Sequence, residues 1–260
     1  MPEFRSWRSY CEFAQSVKLE NRYIRDSTTE EFLNTVLATS KNRETKIPRE
    51  SYLWRSQLGH CWKPIGTDED GHVDEELCPM PPDRMKPLPN IATEGRANPR
   101  GIPYLYLATD KETAMAEIRP WLGSWVSVGQ FQTMRELVVV DCSAYHQDSY
   151  VYHFKEPNPE EREHAVWFDI DRAFAKPISP TDRTAEYIPT QIIAELFKNN
   201  GADGIIYKSA LGSGLNVVLF ELKAAELVSC FLYEVTKISF QFKEAANPYY
   251  VRKHHHPDSV

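Results

Sequence analysis

Three polar side chains sit where a folded chain could use them for chemistry. Arg55 lies inside the aromatic and apolar run Tyr52-Leu-Trp-Arg55. A planar guanidinium drawn into such surroundings needs an anion, and its fork suits a diphosphate or a carboxylate. Glu117 closes Thr113-Ala-Met-Ala-Glu117, where small neighbours could admit a carboxylate to a cleft. Ser209 ends Ile205-Ile-Tyr-Lys-Ser209 and places a hydroxyl after a strand. Taken singly, each also has an ordinary role: Arg55 in a structural ion pair, Glu117 on a solvated helix face, Ser209 in a turn. His60, Cys61, His72 and Cys78 offer zinc-type ligands, but their spacing matches no familiar ligand pattern. No GxxxxGK[ST] phosphate loop occurs, and Gly212-Ser-Gly214 lies between strands, so neither a Rossmann fingerprint nor a GxSxG nucleophile elbow is present.

The elements that must position these residues follow from periodicity. Residues 5–45 read as helical, with Trp7, Tyr10, Phe13, Ala14 and Val17 on one face and a Thr28/Glu31 capping box ahead of Phe32, Val36 and Leu37. Ser51–Gln57 reads as a short strand. Residues 60–103 hold seven prolines from Pro64 to Pro99, which predicts a long irregular surface excursion. Tyr104–Ala108 is then a strand, followed by a helix capped by Thr109 and Glu112 and stopped by Pro120. Strands are expected at Trp125–Phe131, Glu136–Asp141, Gly204–Lys208, Asn216–Leu222 and Leu227–Phe242, the last broken in two. Asn158-Pro159 with Glu161 opens one helix, and Thr190–Lys198 is another. Helices set among short strands without strict alternation point to an α+β fold.

Composition narrows the function. The chain has 260 residues, 30 Lys and Arg against 37 Asp and Glu, and a net charge of −7, which argues against a generic grip on nucleic acid or an anionic membrane. Its five scattered cysteines form no CxxC pair, so a disulfide framework is not expected. The N-terminus carries no apolar leader and no apolar run approaches membrane length, which predicts a soluble, cytoplasmic protein.

The segments Trp54-Arg55, Arg96-Ala-Asn-Pro-Arg-Gly101, Tyr104-Leu-Tyr-Leu-Ala108 with Thr113–Glu117, Tyr187-Ile-Pro-Thr-Gln191, and Gly201–Ser209 with Asn216–Phe220 occur in one order along residues 50–235. In this the sequence resembles the RES-domain family, named for its Arg, Glu and Ser. The resemblance implies an ADP-ribosyltransferase-like α+β fold, a mixed-strand core with flanking helices, that consumes NAD without a metal. Members act as toxins of bacterial toxin–antitoxin pairs. They release nicotinamide by hydrolysis, phosphorolysis or ADP-ribosyl transfer, and an antitoxin with a helix-turn-helix domain covers the cleft. Cleaving the nicotinamide–ribose bond passes through an oxocarbenium-like state, which a nearby carboxylate stabilises.

Carried over by residue, Arg55 would bind the phosphate–ribose side of NAD, Glu117 would stabilise the oxocarbenium, and Ser209 would position the nicotinamide or its ribose. Tyr106 would contact the nicotinamide ribose, although Tyr104 shares its strand face and competes for the role. Arg96 is a candidate second phosphate ligand and Asn216 a supporting hydrogen-bonder. The expected organisation is a helical extension over 1–49, an NAD-binding domain over 50–240 with a Pro-rich insertion at about 60–95, and a tail over 241–260. The chain departs from compact members in that extension and insertion, and in Ser56, where an aromatic residue would follow the arginine. Two rival functions are a non-catalytic nucleotide- or protein-binding module on the same fold, and a zinc hydrolase using the His/Cys cluster.

Overall fold

The computed structural model describes residues 2–67, 73–88, 91–144, 153, 155–176, 184–239 and 242. The chain opens with two helices, α1 (Ser9–Leu19) and α2 (Ser27–Ser40). The first buries Tyr10, Phe13, Ala14 and Val17, the face its spacing predicts. The second is capped two residues earlier than expected: Asp26, not Thr28, is the cap, and its carboxylate accepts from the Thr29 amide at 2.7 Å. The carboxylate at that position satisfies a first-turn amide and meets the positive end of the helix, which leaves Thr28 inside the first turn.

Strands β1 (Glu44–Ile47) and β2 (Tyr52–Leu58) follow, then β3 (Cys61–Thr67) and β4 (Val73–Cys78). These last two form a separate hairpin within the segment whose prolines predict irregular chain. Pro64 is tolerated because the ribbon has only two strands and bulges between Pro64 and Gly66, so its missing N–H breaks no central ladder. Nor is the rest of that segment a free excursion. Met85 is wholly buried against the sheet beside Leu53 and Phe131 and pins the chain there.

The remaining elements are β5 (Leu105–Ala108), α3 (Lys111–Glu117), β6 (Trp125–Thr133), β7 (Leu137–Asp141), α4 (Pro159–Ala175), α5 (Ile188–Asn199), β8 (Gly204–Lys208), β9 (Leu215–Leu219) and β10 (Ala225–Glu234). The predicted Asn158/Glu161 capping box opens α4. The last strand is continuous rather than broken, bulged between Leu227 and Ser229, and ends well before Phe242.

Eight strands form one mixed sheet in the order β1-β7-β8-β9-β5-β2-β6-β10, in which β7 and β8 run parallel. Alternation along each strand separates two cores. Tyr104, Ile205, Tyr207 and Val218 face a layer built from α1, α2, α4 and α5. Leu105, Leu107, Ile206, Val217 and Leu219 face the other way, toward Met85 and Phe131. Each aliphatic side chain taken fully from water contributes about 1.5–3 kcal/mol, so both faces hold the sheet in place. The fold is thus α+β, a mixed sheet with flanking helices, and the N-terminal helices share the main core.

Within the sheet, the ladder is uneven at one point. Strand β2 pairs with seven residues of β6 but only through Trp54–Ala108 with β5. Strand β5, in turn, pairs along its full length with β9. The sheet therefore parts between β2 and β5, joined at a single pair.

Candidate active site

Helix α3 starts immediately after that junction. Asp110 caps it, accepting from the Thr113 amide at 2.7 Å, and seven residues later it ends at Glu117 ahead of Pro120. Trp54, Ala108, Asn216 and Tyr207 lie side by side across β2, β5, β9 and β8. Glu117 meets this row: its Oε1 accepts from the Ser209 hydroxyl at 2.6 Å and from Asn216 Nδ2 at 2.7 Å. Ser209 Oγ in turn accepts from the amides of Leu211 and Gly212 at 3.1 and 2.9 Å. Two donors thus converge on one carboxylate oxygen, an arrangement that fixes its orientation. No described residue bonds Oε2.

The β8–β9 loop that carries Ser209 is clamped onto the first turn of α3. Thr113 Oγ1 accepts from the Gly214 amide at 2.9 Å, and Thr109 Oγ1 from the Leu215 amide at 3.0 Å. Gly214 is required by this approach, since a Cβ there would collide with the Asp110 carboxylate. Lys208 reaches the Ser213 carbonyl and closes the loop from the other side.

Across the junction, Arg55 NH1 donates to the Tyr106 carbonyl at 3.0 Å, while its buried Nε has no hydrogen-bond partner among the described residues. Burial lowers its pKa, the direction expected of a cation deprived of water and of a counter-ion. Arg55 and Gln57 line a cavity of about 420 Å³, with Tyr106 from β5, Tyr104 just before it, and Gly95 and Asn98 from the preceding loop. That volume lies in the ordinary range of small-molecule sites.

The cavity's far wall is built around Asn98, which is almost wholly buried. Its Oδ1 accepts from the Tyr106 hydroxyl at 2.7 Å, and its Nδ2 donates to the carbonyls of Thr93, Pro99 and Ile102. The Ala97 amide donates to the same phenol oxygen at 3.0 Å. Gln191 Nε2 then ties the carbonyls of Gly95 and Asn98 to α5. Burial raises the Tyr106 pKa, so the phenol stays neutral and keeps donating. Removing this hub leaves several buried groups unpaired. Asn98→Ala is expected to cost roughly 2–4 kcal/mol, read as a lower urea midpoint at unchanged slope.

The structure thus brings Glu117, Ser209 and Asn216 into contact and joins Arg55 to Tyr106. Tyr104 and Tyr106 both line the cavity, but their rings are used differently. Tyr104 lies 5.0 Å from Phe220 with Lys198 Nζ 4.8 Å from its centroid, and burial pushes its pKa up to about 12. The structure does not bring Arg96 to the cavity of Arg55. Its guanidinium turns to the end of α4 and donates to the carbonyls of Ala173 and Lys176. The tight turn bonded through Asn98 presents backbone to the cavity and sends the Arg96 side chain the opposite way. Asn98 and Gln191 escape residue-by-residue reading, although both lie inside motifs that the sequence offers; an Asn-Pro dipeptide was their one local signal.

The His/Cys cluster is spread over the hairpin. Cys61 and Cys78 are cross-strand neighbours, with the Cys78 thiol 3.4 Å from the Cys61 carbonyl, and His60 packs edge-on against Trp62 and Trp125. His72 lies outside the described residues. Among the described residues no group of three His, Cys, Asp or Glu side chains is placed to hold a metal, and no helix is long and apolar enough to cross a membrane.

Arg55 thus lies on β2 against Tyr106, while Glu117, Ser209 and Asn216 meet where α3, β8 and β9 come together. The sequence model of the RES domain matches residues 78–242, more than half of the chain, and the chain belongs to the RES-domain family. The matched segment holds Glu117, Ser209 and Asn216, and Arg55 precedes it. No curated protein matches the sequence. Among solved structures, the chain is similar to one in the crystal structure of the M. tuberculosis MbcT–MbcA toxin–antitoxin complex, at 14% identity and a TM-score of 0.41, covering 76% of this chain and 92% of that one.

Proposed function

We propose that the protein breaks the nicotinamide–ribosyl bond of NAD. The observation that carries this reading is the Glu117 carboxylate, held through one oxygen by Ser209 and Asn216 with the other left for a ligand. When the C–N bond breaks, its electron pair leaves with nicotinamide, which departs neutral, and positive charge develops on the ribose. A fixed carboxylate stabilises that charge more than it stabilises the substrate, which is what lowers a barrier. Arg55 supports the same reading, because a buried guanidinium with an unpartnered Nε fits an anionic phosphate. Water, phosphate or a protein side chain then attacks the ribose carbon and loses a proton to solvent.

In this reading the chain is the toxin of a pair. Its antitoxin, carrying a helix-turn-helix domain, would cover the cleft between β2 and β5. That part rests on the family resemblance alone. The direct test incubates purified protein with NAD, with and without phosphate, and quantifies nicotinamide and ribosyl products. Release that depends on phosphate assigns phosphorolysis, and release without it assigns hydrolysis or transfer. Absence of release together with NAD binding in calorimetry would turn the assignment to a binding module.

Ser209 acts in this scheme as a positioning residue, since its proton is already committed to Glu117. Ser209→Ala is expected to lower kcat about 10–100-fold with little change in KM, because one of two donors on Oε1 remains. A larger change in KM than in kcat would instead give Ser209 a direct role in holding substrate.

A further inference from the structure

The cavity beside Arg55 is lined by a second arginine. Its described lining includes three basic side chains, Arg55, Arg84 and Lys86, against one carboxylate, Glu94. Lys86 is already engaged, with Nζ 2.8 Å from Glu226 and 3.1 Å from the Leu222 carbonyl. The Arg84 side chain, by contrast, is exposed and has no hydrogen-bond or ion-pair partner among the described residues. Nor is it on free chain. It ends a short turn, Pro82–Arg84, whose Arg84 amide donates to the Pro81 carbonyl at 2.9 Å. The next residue, Met85, is wholly buried in the sheet core. The backbone of Arg84 is therefore fixed at the cavity edge while its guanidinium remains available.

We infer that Arg84 supplies the second cation of a diphosphate clamp whose first member is Arg55. Arg84 then takes the place expected for Arg96. Two guanidinium groups on one cavity wall recognise two linked phosphates by charge-assisted hydrogen bonds, each phosphate taking its own fork, and the mononucleotide lacks the second phosphate. This deepens the proposed reaction and rests on it for the identity of the ligand: of the molecules with a nicotinamide–ribosyl bond, the site selects the dinucleotide over the mononucleotide.

The test titrates the full-length chain and its Arg84→Ala and Arg84→Lys variants with NAD, nicotinamide mononucleotide, inorganic pyrophosphate and inorganic phosphate. Melting curves check that each variant is folded, and nicotinamide release is assayed in parallel. Arg84→Ala is expected to weaken NAD and pyrophosphate about tenfold while changing the mononucleotide less than twofold, and Arg84→Lys to restore part of the loss. Unchanged NAD and pyrophosphate binding, or an equal loss for the mononucleotide, overturns the clamp. Failure of the wild type to bind pyrophosphate overturns it as well. The two readings separate cleanly: diphosphate binding lost in Arg84→Ala without nicotinamide release keeps the clamp and removes the reaction. Release whose KM for NAD is unchanged by Arg84→Ala removes the clamp and keeps the reaction.

Discussion

Glu117→Gln is expected to reduce nicotinamide release from NAD by about a thousandfold or more while leaving the melting temperature within a few degrees of wild type. The substitution keeps shape and acceptor. The amide oxygen of glutamine can still take the Ser209 hydroxyl and Asn216 Nδ2, which in the native protein lie 2.6 and 2.7 Å from Oε1. What disappears is the negative charge, and with it the differential attraction for an oxocarbenium-like ribose. KM should move little, because the ground-state ribose carries no comparable charge. A Glu117→Gln variant that kept a tenth of native turnover would mean that the charge is stabilised by another group. Quantifying nicotinamide by chromatography, beside a thermal melt, decides the matter.

The second large effect is at Arg55. Arg55→Met is expected to weaken NAD binding about a hundredfold and yet leave the unliganded protein as stable as wild type, or more so. A buried cation costs desolvation energy, and this one recovers only a bond to the Tyr106 carbonyl, with Nε unpaired. Methionine fills a similar volume without that cost. The opposed signs distinguish a binding residue from a structural one. A structural arginine would lower stability and affinity together when replaced. Calorimetry with NAD and a melt without it read the two signs separately.

The sequence carried the chemistry further than the geometry. Arg55, Glu117 and Ser209 stand out by residue type within short motifs and Asn216 by the family resemblance, and three of the four meet through hydrogen bonds that their strand-end and helix-end positions allow. Arg96 was not placed, because a side chain's direction out of a turn depends on what that turn packs against. Here the partner is the end of α4, nearly eighty residues further along the chain. Period two sets Tyr104 and Tyr106 on one face, but only packing separates a ring tilted against Phe220 from a phenol bonded to Asn98. The hairpin of β3 and β4 was hidden by proline content, since two strands with exposed edges tolerate what a central strand does not. The α3 cap shifted by one residue for a similar local reason. Asp110, not Thr109, reaches the Thr113 amide, and Thr109 is used by β9 instead.

The parted sheet also governs when the protein can become active during its own synthesis. Its two halves interleave along the chain: β2, β6 and β10 make one, and β1, β7, β8, β9 and β5 the other. Neither half is a contiguous stretch that a ribosome could release to fold early, so the pairings that close each half are long-range and late. Ser209 and Asn216, which orient Glu117, are translated about a hundred residues after it, and β10, which covers the outer edge of β6, ends at Glu234. A nascent chain stalled before β8 carries Arg55 and Glu117 but neither Ser209 nor Asn216, the donors that set the carboxylate. With the proposed reaction, the protein would thus stay inert on the ribosome until β9 has emerged.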